Sequence, residues 1–384
     1  MSNFEWELVT LGEVTTERRT RAGDEFQLRP VYGVDRSFGL TSVAKYSASN
    51  LERYKTVENG MFAYNPMRLN IGSIGYCSKD TQPGLVSPDY VVFECNSESL
   101  DPDFLSYYIN SPDWKEWTAN AGVGSVRMRI YYKELARLPF WLPPLNEQRD
   151  IVEILSTLDK KIELNHSINR TLDEIAWAIF KKVFVYNENN NEWNYARIGD
   201  KLTTYLGGTP SRGNPEYWNN GTIPWINSGK VNEFRIIDAT EFITRFGLDS
   251  SSTKIVPPRS TVIAITGATL GQVSLLEIEA CTNQSVVSVL GSDELPSEFV
   301  YFWIKYNIAD LVSWQTGGAQ QHVNKNNVND FKILCPDAST MQDFIAQVRP
   351  IFDLIRNNCF ESRTLASLRD SLLPKLMRGE VMVK

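Results

Sequence analysis

Residues 159–175 read DKKIELNHSINRTLDEI, and they place two asparagines, Asn165 and Asn169, where a helical pattern asks for apolar side chains. Counting outward in alternate steps of three and four gives positions 151, 155, 158, 162, 165, 169, 172, 176, 179 and 183. These carry Ile, Leu, Leu, Ile, Asn, Asn, Leu, Ala, Ile and Val. Such a stripe is the seam of a coiled coil with a polar pair at its middle. A second stripe, at positions 344 to 376, carries Phe, Val, Ile, Ile, Asn, Ser, Leu, Arg, Leu and Leu, so Asn358 and Ser362 fall where Asn165 and Asn169 fell. If the two helices run antiparallel, middle meets middle and the polar positions can hydrogen-bond to one another. A buried polar group left alone costs about 1–3 kcal/mol, so these four residues would set register and orientation. A helix of roughly 36 residues is a rod of about 54 Å, which makes the pair a spacer of defined length. The plainer reading is that each seam packs on its own globular domain with the asparagines exposed. Pro350 is expected to kink or restart the second helix, because it lacks an amide hydrogen and crowds the preceding turn.

The two stripes belong to a longer repetition. NRTLDEI at 169–175 recurs as SRTLASL at 362–368, and at the same offset of 193 Pro143 matches Pro336, Leu138 matches Phe331, Ile162 matches Ile355 and Lys182 matches Lys375. Near the start, EWELVTLGEV resembles EWNYARIGDK, with Trp6 on Trp193 and Gly12 on Gly199. DPDFLSYYIN precedes a glycine stretch at 122–124, as LPSEFVYFWI precedes Gly317 and Gly318. The chain is therefore two copies of one unit, each a globular segment followed by a long helix. The globular parts mix short β-rich runs such as YVVFEC, TVIAIT and QSVVSVL with Gly, Asn and Pro turns. One helical stretch in each, 103–119 and 297–315, carries aromatic residues on a repeating face, and Phe104, Tyr107, Tyr108 and Trp117 are read as core. The fold class is α+β with a curved sheet in each copy.

Composition bounds the chemistry. With 384 residues, 42% hydrophobic and 22% charged, the chain reads as an ordinary soluble globular protein large enough for two cores. It has no apolar run near the roughly 18 residues that span a bilayer, and MSNFEWELVTLGEV is too polar for a secretory signal. Five cysteines without a CxxC pair suit reduced thiols in the cytoplasm. The two histidines are far apart, which argues against metal catalysis. A net charge of −7 does not rule out nucleic acid, since binding needs only a local basic patch.

Candidate contact residues lie in polar, Gly-rich loops. GVGSVRMRI, 122–130, holds Arg127 and Arg129; its counterpart GGAQQHVNK, 317–325, holds Gln320 and His322 at the matching positions, with Gln321 between. Arginine pairs with guanine edges and glutamine with adenine edges in the major groove, so exchanging one set for the other is what two readers of different sequences would show. Solvated strand charges and ordinary loop glutamines are the alternative. AYNPMRLNIGSIG, 63–75, and AITGATLGQVSLL, 264–276, each read as a β-hairpin, offering Tyr64, Asn65 and Arg68 in the first and Thr266 and Thr269 in the second. GGTPSRGNPEYWNNGTIPWINSGKV, 207–231, is rich in turn formers and offers Thr209, Ser211, Arg212, Asn227 and Lys230 for phosphate or base contacts, with Trp218 and Trp225 read as packing.

Catalytic signatures are missing. The chain has no GxSxG, no Walker loop and no GxGxxG in a strand-to-helix setting. NPMR at 65–68 lacks the second proline and stacking ring of the amino-methyltransferase motif. Pro88-Asp89 and Asp113-Trp114-Lys115 do not form the converging carboxylates of a magnesium nuclease, because the second set opens a helix.

PPLNEQRDIVEILSTLDKKIELN at 143–165, AIFKKVF at 178–184, the 207–231 stretch and LLPKLMRGE at 372–380 together resemble the specificity (S) subunit of type I restriction-modification systems. The second helix start, PDASTMQDF, keeps Pro336 but departs from the Pro-Pro-x-x-Glu-Gln pattern. The resemblance implies two target recognition domains, at 1–142 and 187–336, with conserved spacer helices at 143–186 and 337–384 forming an antiparallel coiled coil. It implies a subunit without a catalytic site of its own, binding double-stranded DNA at a bipartite target whose half-sites lie about one turn, about 10 bp, apart. Its partners would be two modification subunits that bring S-adenosylmethionine and restriction subunits that use ATP and Mg²⁺. A specificity protein of another methylation or phage-defence assembly, and a protein-binding repeat scaffold, are the alternatives.

Overall fold

The structure, a computed structural model, describes residues 6–23, 29–36, 39–42, 51–121, 129–187, 193–314 and 322–381. In the first copy β1 (Glu7–Thr10) leads through a helical turn α1 (Leu11–Val14) into β2 (Thr15–Arg18), β3 (Val31–Asp35), β4 (Gly39–Ser42), β5 (Lys55–Val57), β6 (Met61–Tyr64), β7 (Ile74–Tyr76), β8 (Gly84–Val86) and β9 (Val91–Cys95). Helices α2 (Pro102–Tyr108), α3 (Pro112–Asn120) and α4 (Tyr132–Leu135), strand β10 (Pro139–Leu142) and the long helix α5 (Leu145–Phe180) follow. The second copy repeats the order as β11 (Asn194–Arg197), α6 (Ile198–Lys201), β12 (Thr204–Leu206), β13 (Ile223–Ile226), β14 (Glu241–Ile243), α7 (Arg245–Asp249), β15 (Ser260–Ala264), β16 (Val273–Leu276), β17 (Cys281–Thr282) and β18 (Val286–Val289). It ends with α8 (Ser297–Tyr306), α9 (Ile308–Ser313), α10 (Lys325–Asp330), β19 (Lys332–Cys335) and α11 (Ala338–Met377).

Strand pairing shows that the copies share one fold. Each has an antiparallel four-stranded sheet, β2-β9-β6-β7 in the first and β12-β18-β15-β16 in the second. Each also has a mixed sheet in which one pair is parallel, β4-β3-β8-β5 and β14-β13-β17, where a bridge from Val256 to Ala280 takes the place of β5. The sheet expected in each copy is thus divided between two sheets, plus a ribbon joining the start of the copy to its end, β1 with β10 and β11 with β19. Two glycines make the same close approach. A Cβ at Gly12 would meet that of Ala136 at 2.8 Å, and one at Gly199 would meet that of Asn329, the residue 193 positions after Ala136, at 2.9 Å.

The helical stretch expected at 103–119 is two helices. Ser111 begins a second one: its hydroxyl accepts the Trp114 N–H at 3.2 Å and Pro112 follows in the first turn, where its missing N–H costs nothing. Asn307 divides α8 from α9 in the same place. Phe104 and Tyr108 are buried as expected, and so is Trp114.

The chain forms two compact units, residues 1–160 with 365–384, and residues 161–364. In the first unit Ile151 and Leu155 of α5 share a core with Leu373, Leu376 and Met377 of α11. In the second, Ala176 and Phe180 of α5 share one with Phe344, Val348 and Phe352 of α11. Early α5 with late α11, and late α5 with early α11, is an antiparallel pair, and every seam position of both stripes is buried or half-buried. The asparagines are inside. Asn358 donates to the Asn169 side-chain oxygen at 2.9 Å, and Asn165 donates to Ser362 Oγ at 3.3 Å and to Glu361 at 2.7 Å. Helix α11 continues through Pro350 without a restart. Phe344, Val348, Phe352 and Ile355 are buried around the proline, and at about 1.5–3 kcal/mol per large apolar side chain they outweigh a penalty of about 3 kcal/mol.

Both long helices are tied to their copies at the start. Gln148 of the Pro-Pro-x-x-Glu-Gln motif is fully buried; its amide donates to Ser99 O and Pro143 O, and its carbonyl accepts from Asp101 N, each at 2.8 Å. Met341, 193 residues on, fills that place without hydrogen bonds to make, which accounts for the departure in the second motif. There Asp337 caps α11 instead, accepting from Thr340 N at 2.8 Å and from the Trp193 indole at 3.2 Å, much as Glu147 accepts from Trp6 at 3.0 Å.

Replacing Asn169 with Leu strands the Asn358 amide in the seam. We expect a loss of about 1–3 kcal/mol in urea unfolding, with most of it recovered in the N169L/N358L pair; equal loss in both variants would show that the amides do not act as partners.

Candidate nucleic-acid interface

The two loop families singled out in the sequence come together in each copy. Strands β6 and β7 form the expected hairpin, with Tyr64 opposite Ile74, and β15 and β16 form the other, with Ile263 opposite Val273. At the first tip Asn65 accepts the Met67 N–H through its side chain at 3.0 Å, and a 3-10 turn, Leu69–Ile71, ends on Gly72 at φ +89°, a backbone state that suits glycine. At the second, Thr269 donates to Thr266 O at 3.3 Å. The later loop then docks on each tip: Ile130 N–H donates to Pro66 O at 2.9 Å, and Val323 N–H donates to Ile265 O at 3.0 Å, with Thr266 and His322 bridged beside it. Ile130 and Val323 are equivalent by the 193-residue offset. The same junction therefore presents exposed Arg68 and Arg129 in one copy, and Thr266, Thr269 and His322 in the other. Arg127, Gln320 and Gln321 lie outside the described residues.

Tyr64 is not available for a base contact. It is fully buried against Phe93, ring centroids 6.3 Å apart, and burial pushes its hydroxyl pKa far up. Four of the five candidates in 207–231, all but Ser211, bond through their side chains within their own copy. Arg212 lies 3.7 Å from the Trp218 ring centroid and 4.8 Å from that of Trp225, with its fork on both oxygens of Glu241, a stacked and bidentate arrangement. Asn227 caps the turn Ser228–Asn232 by accepting from Gly229 N at 2.9 Å, and Lys230 bonds Glu233 at 2.8 Å and Asp238. Thr209 donates to Gln284, and Ser211 is exposed, its carbonyl accepting from the Trp218 indole at 3.1 Å. The paired glycines opening the stretch have a packing reason, since a Cβ at Gly207 would lie 2.2 Å from Asn283 O and one at Gly208 would lie 2.3 Å from Ser252 Oγ.

A buried charge cluster escaped the sequence reading. Arg235 is 4% exposed; it donates to Asp173 on α5 and to the Tyr301 hydroxyl, each at 3.2 Å, and lies 3.8 Å from Glu277. Arg356 on α11 stands 3.4 Å from Glu277, and Lys305 bonds the second oxygen of Asp173 at 3.2 Å. Burial raises the Glu277 carboxyl pKa against the pull of Arg235, Arg259 and Arg356. The cluster joins the recognition fold of the second copy to both long helices. A single arginine in a loop has no periodicity to betray it; the nearest signal is Asp173 beside the seam position Leu172.

Residues 3–174 and 190–362 each match the family described as the type I restriction modification DNA specificity domain. The chain belongs to this family. The specificity protein is 25% identical to the "Type I restriction enzyme HindI specificity subunit" of Haemophilus influenzae, over 85% of this chain and 88% of that one. It is also 25% identical to the "Type I restriction enzyme MjaIX specificity subunit" of Methanocaldococcus jannaschii, over 84% and 74%. The S subunit of a type I restriction-modification system from M. genitalium shares the fold, with a TM-score of 0.61 at 16% identity over 98% of this chain and 97% of that one. A specificity protein of this kind recognises DNA and is not the catalytic subunit of its system. Among its described residues no helix is long and apolar enough to cross a membrane.

The Arg235 cluster generates a stability test. Arg235→Met leaves Asp173 and Glu277 short of a partner, and breaking a buried pair from one side costs about 3–5 kcal/mol. Urea unfolding should show a loss of that size, with D173N/R235M less affected than R235M; a change within error would mean that the charges are solvated in solution.

Proposed function

We propose that the specificity protein reads a bipartite target in double-stranded DNA, one half through each copy, and positions two modification subunits and the restriction subunits of a type I complex. The observation that supports this reading is the junction of hairpin tip and docking loop that both copies share, which holds different side chains in each: Asn65, Arg68 and Arg129 in the first, Thr266, Thr269 and His322 in the second. One backbone frame with exchanged tips is the arrangement that two independent readers need, because arginine selects guanine edges and neutral polar groups select others. Arg127, Gln320 and Gln321 extend the same two sets. Thr209 and Ser211 are the further contacts retained from 207–231, while Arg212, Asn227 and Lys230 shape that loop. In this reading the chain binds no cofactor: S-adenosylmethionine belongs to the modification subunits, and ATP with Mg²⁺ to the restriction subunits.

Sequencing that detects methylated adenine, applied to DNA from cells carrying the protein, should return a split motif. R127A/R129A should relax the bases of one half while the other half stays as it was, and H322A should act on the opposite half. A discriminating base pair is worth about 1–3 kcal/mol, so occupancy at the affected position should fall about 5- to 150-fold. Loss of both halves in either variant, or a methylated motif without a gap, would contradict the reading.

A further inference from the structure

We propose that Arg19, Arg21 and Lys55 of the first copy form a seat for a backbone phosphate of the DNA, beside the hairpin tip that reads the bases. The inference rests on the DNA-reading assignment above and adds the groups that grip the strand without reading it. Past β2 the chain crosses to the other sheet: Ala22 N–H donates to Tyr54 O at 2.9 Å, Thr56 N–H donates to Thr20 O at 3.0 Å, and Arg21 pairs antiparallel with Lys55. Side chains two residues apart share a face, and residues directly opposite share it too. Arg21 and Lys55 therefore line one side, with Ala22 buried on the other, and Glu17 and Arg19 lie near enough to act on the Lys55 charge. The Arg19 side chain is 78% exposed and reaches Glu17 at 2.6 Å. Lys55 is half-buried, and its ammonium donates to Tyr90 O at 2.6 Å. Tyr90 precedes Val91, which pairs with Tyr64, and Arg18 pairs with Val92. The three cations thus sit at the end of the sheet from which the tip carrying Asn65 and Arg68 projects.

The free protein holds these groups together against their preference. Like charges directly opposite one another across paired strands repel. Burial lowers the Lys55 pKa from its usual value, Arg19 and Arg21 add to the lowering, and Glu17 and Asp89 oppose it. Among the described residues, these three cations share those two carboxylates. A phosphate oxygen set between a guanidinium fork and an ammonium relieves the repulsion and gives each donor an acceptor. The second copy is built otherwise. By the 187-residue offset that relates Gly12 to Gly199, Leu206 stands for Arg19 and Gly208 for Arg21. Lys254, the counterpart of Lys55 at an offset of 199, is exposed. The grip on the backbone is therefore a property of the first copy.

The test is salt dependence. The full chain, purified with its modification subunits, is titrated by fluorescence anisotropy with a labelled random-sequence duplex across a series of KCl concentrations, and the bound pool is sequenced. R19Q/R21Q should lower the slope of log K against log[KCl] by about 0.9, the value for the one phosphate contact removed, and leave the base preferences of the bound pool unchanged. An unchanged slope with normal binding by the parent protein overturns the phosphate seat and leaves the DNA-reading assignment standing. Failure of the parent protein to bind DNA overturns both. Should the double variant misfold, R19Q alters a side chain lying mostly in solvent and decides the matter alone: its slope falls toward the loss of about 0.9 that one phosphate contact is worth, or the seat does not exist.

Discussion

The paired amides in the helix seam are the constraint on which the rest of the molecule depends. A seam of aliphatic residues tolerates sliding, because one buried leucine serves much like another. With Asn165 against Ser362 and Asn358 against Asn169 it does not. A slip of one heptad would set Asn165 opposite Ile355 and Asn358 opposite Ile162, leaving two amides without partners at about 1–3 kcal/mol each. The helix starts are pinned as well, α5 by Gln148 buried under Ser99 and Asp101, and α11 by Asp337 beneath Trp193. The amides thus fix the phase of one helix against the other across the seam.

What could be read from the sequence had a period, and what could not depended on contacts between distant segments. The seam and the 193-residue repetition are periodic, and both hold in the structure. Both hairpins announced themselves by turn residues between β-rich runs. Tyr64 misled because a tyrosine after an alternating run suggests a half-exposed strand. Strand β6 is instead enclosed on both sides: Phe62 and Tyr64 belong to the core beneath the helices, while Ala63 packs with Tyr32, Val57 and Val92 on the opposite face. Pro350 misled for a related reason, since a local rule predicts a break and the aromatic packing on either side overrides it. Lys230 and Arg212 looked free because their carboxylate partners, Asp238 and Glu241, are set beside them by turns that no pattern encodes.

The two copies separate what the fold must keep from what function is free to change. Kept are the glycine approach at Gly12 and Gly199, the strand order of both sheets, and the amide bonds that dock the later loop on the hairpin tip. Equivalent residues lie 187 positions apart near the start of each copy, 199 apart at the hairpin and 193 apart at the closing ribbon. Connections have lengthened and shortened while the pairings between strands stayed as they were. Exposed side chains at the tips, such as Arg68 and Arg129, are under no such restraint, because they bear little of the packing. Specificity can change there without disturbing the spacer.

Charge follows the same division. A chain with a net charge of −7 approaching a polyanion must gather its cations locally. The second copy spends arginines internally: Arg235 lies buried between Asp173 and Glu277, and Arg259 and Arg349 both bond Glu298. These fix the recognition fold to the long helices and leave its tip neutral and polar. The first copy keeps Arg19, Arg68 and Arg129 at the surface. The two copies, sharing one backbone, therefore dispose these charges differently, the first outward at Arg19, Arg68 and Arg129 and the second inward, where Arg235, Arg259 and Arg349 hold its own frame.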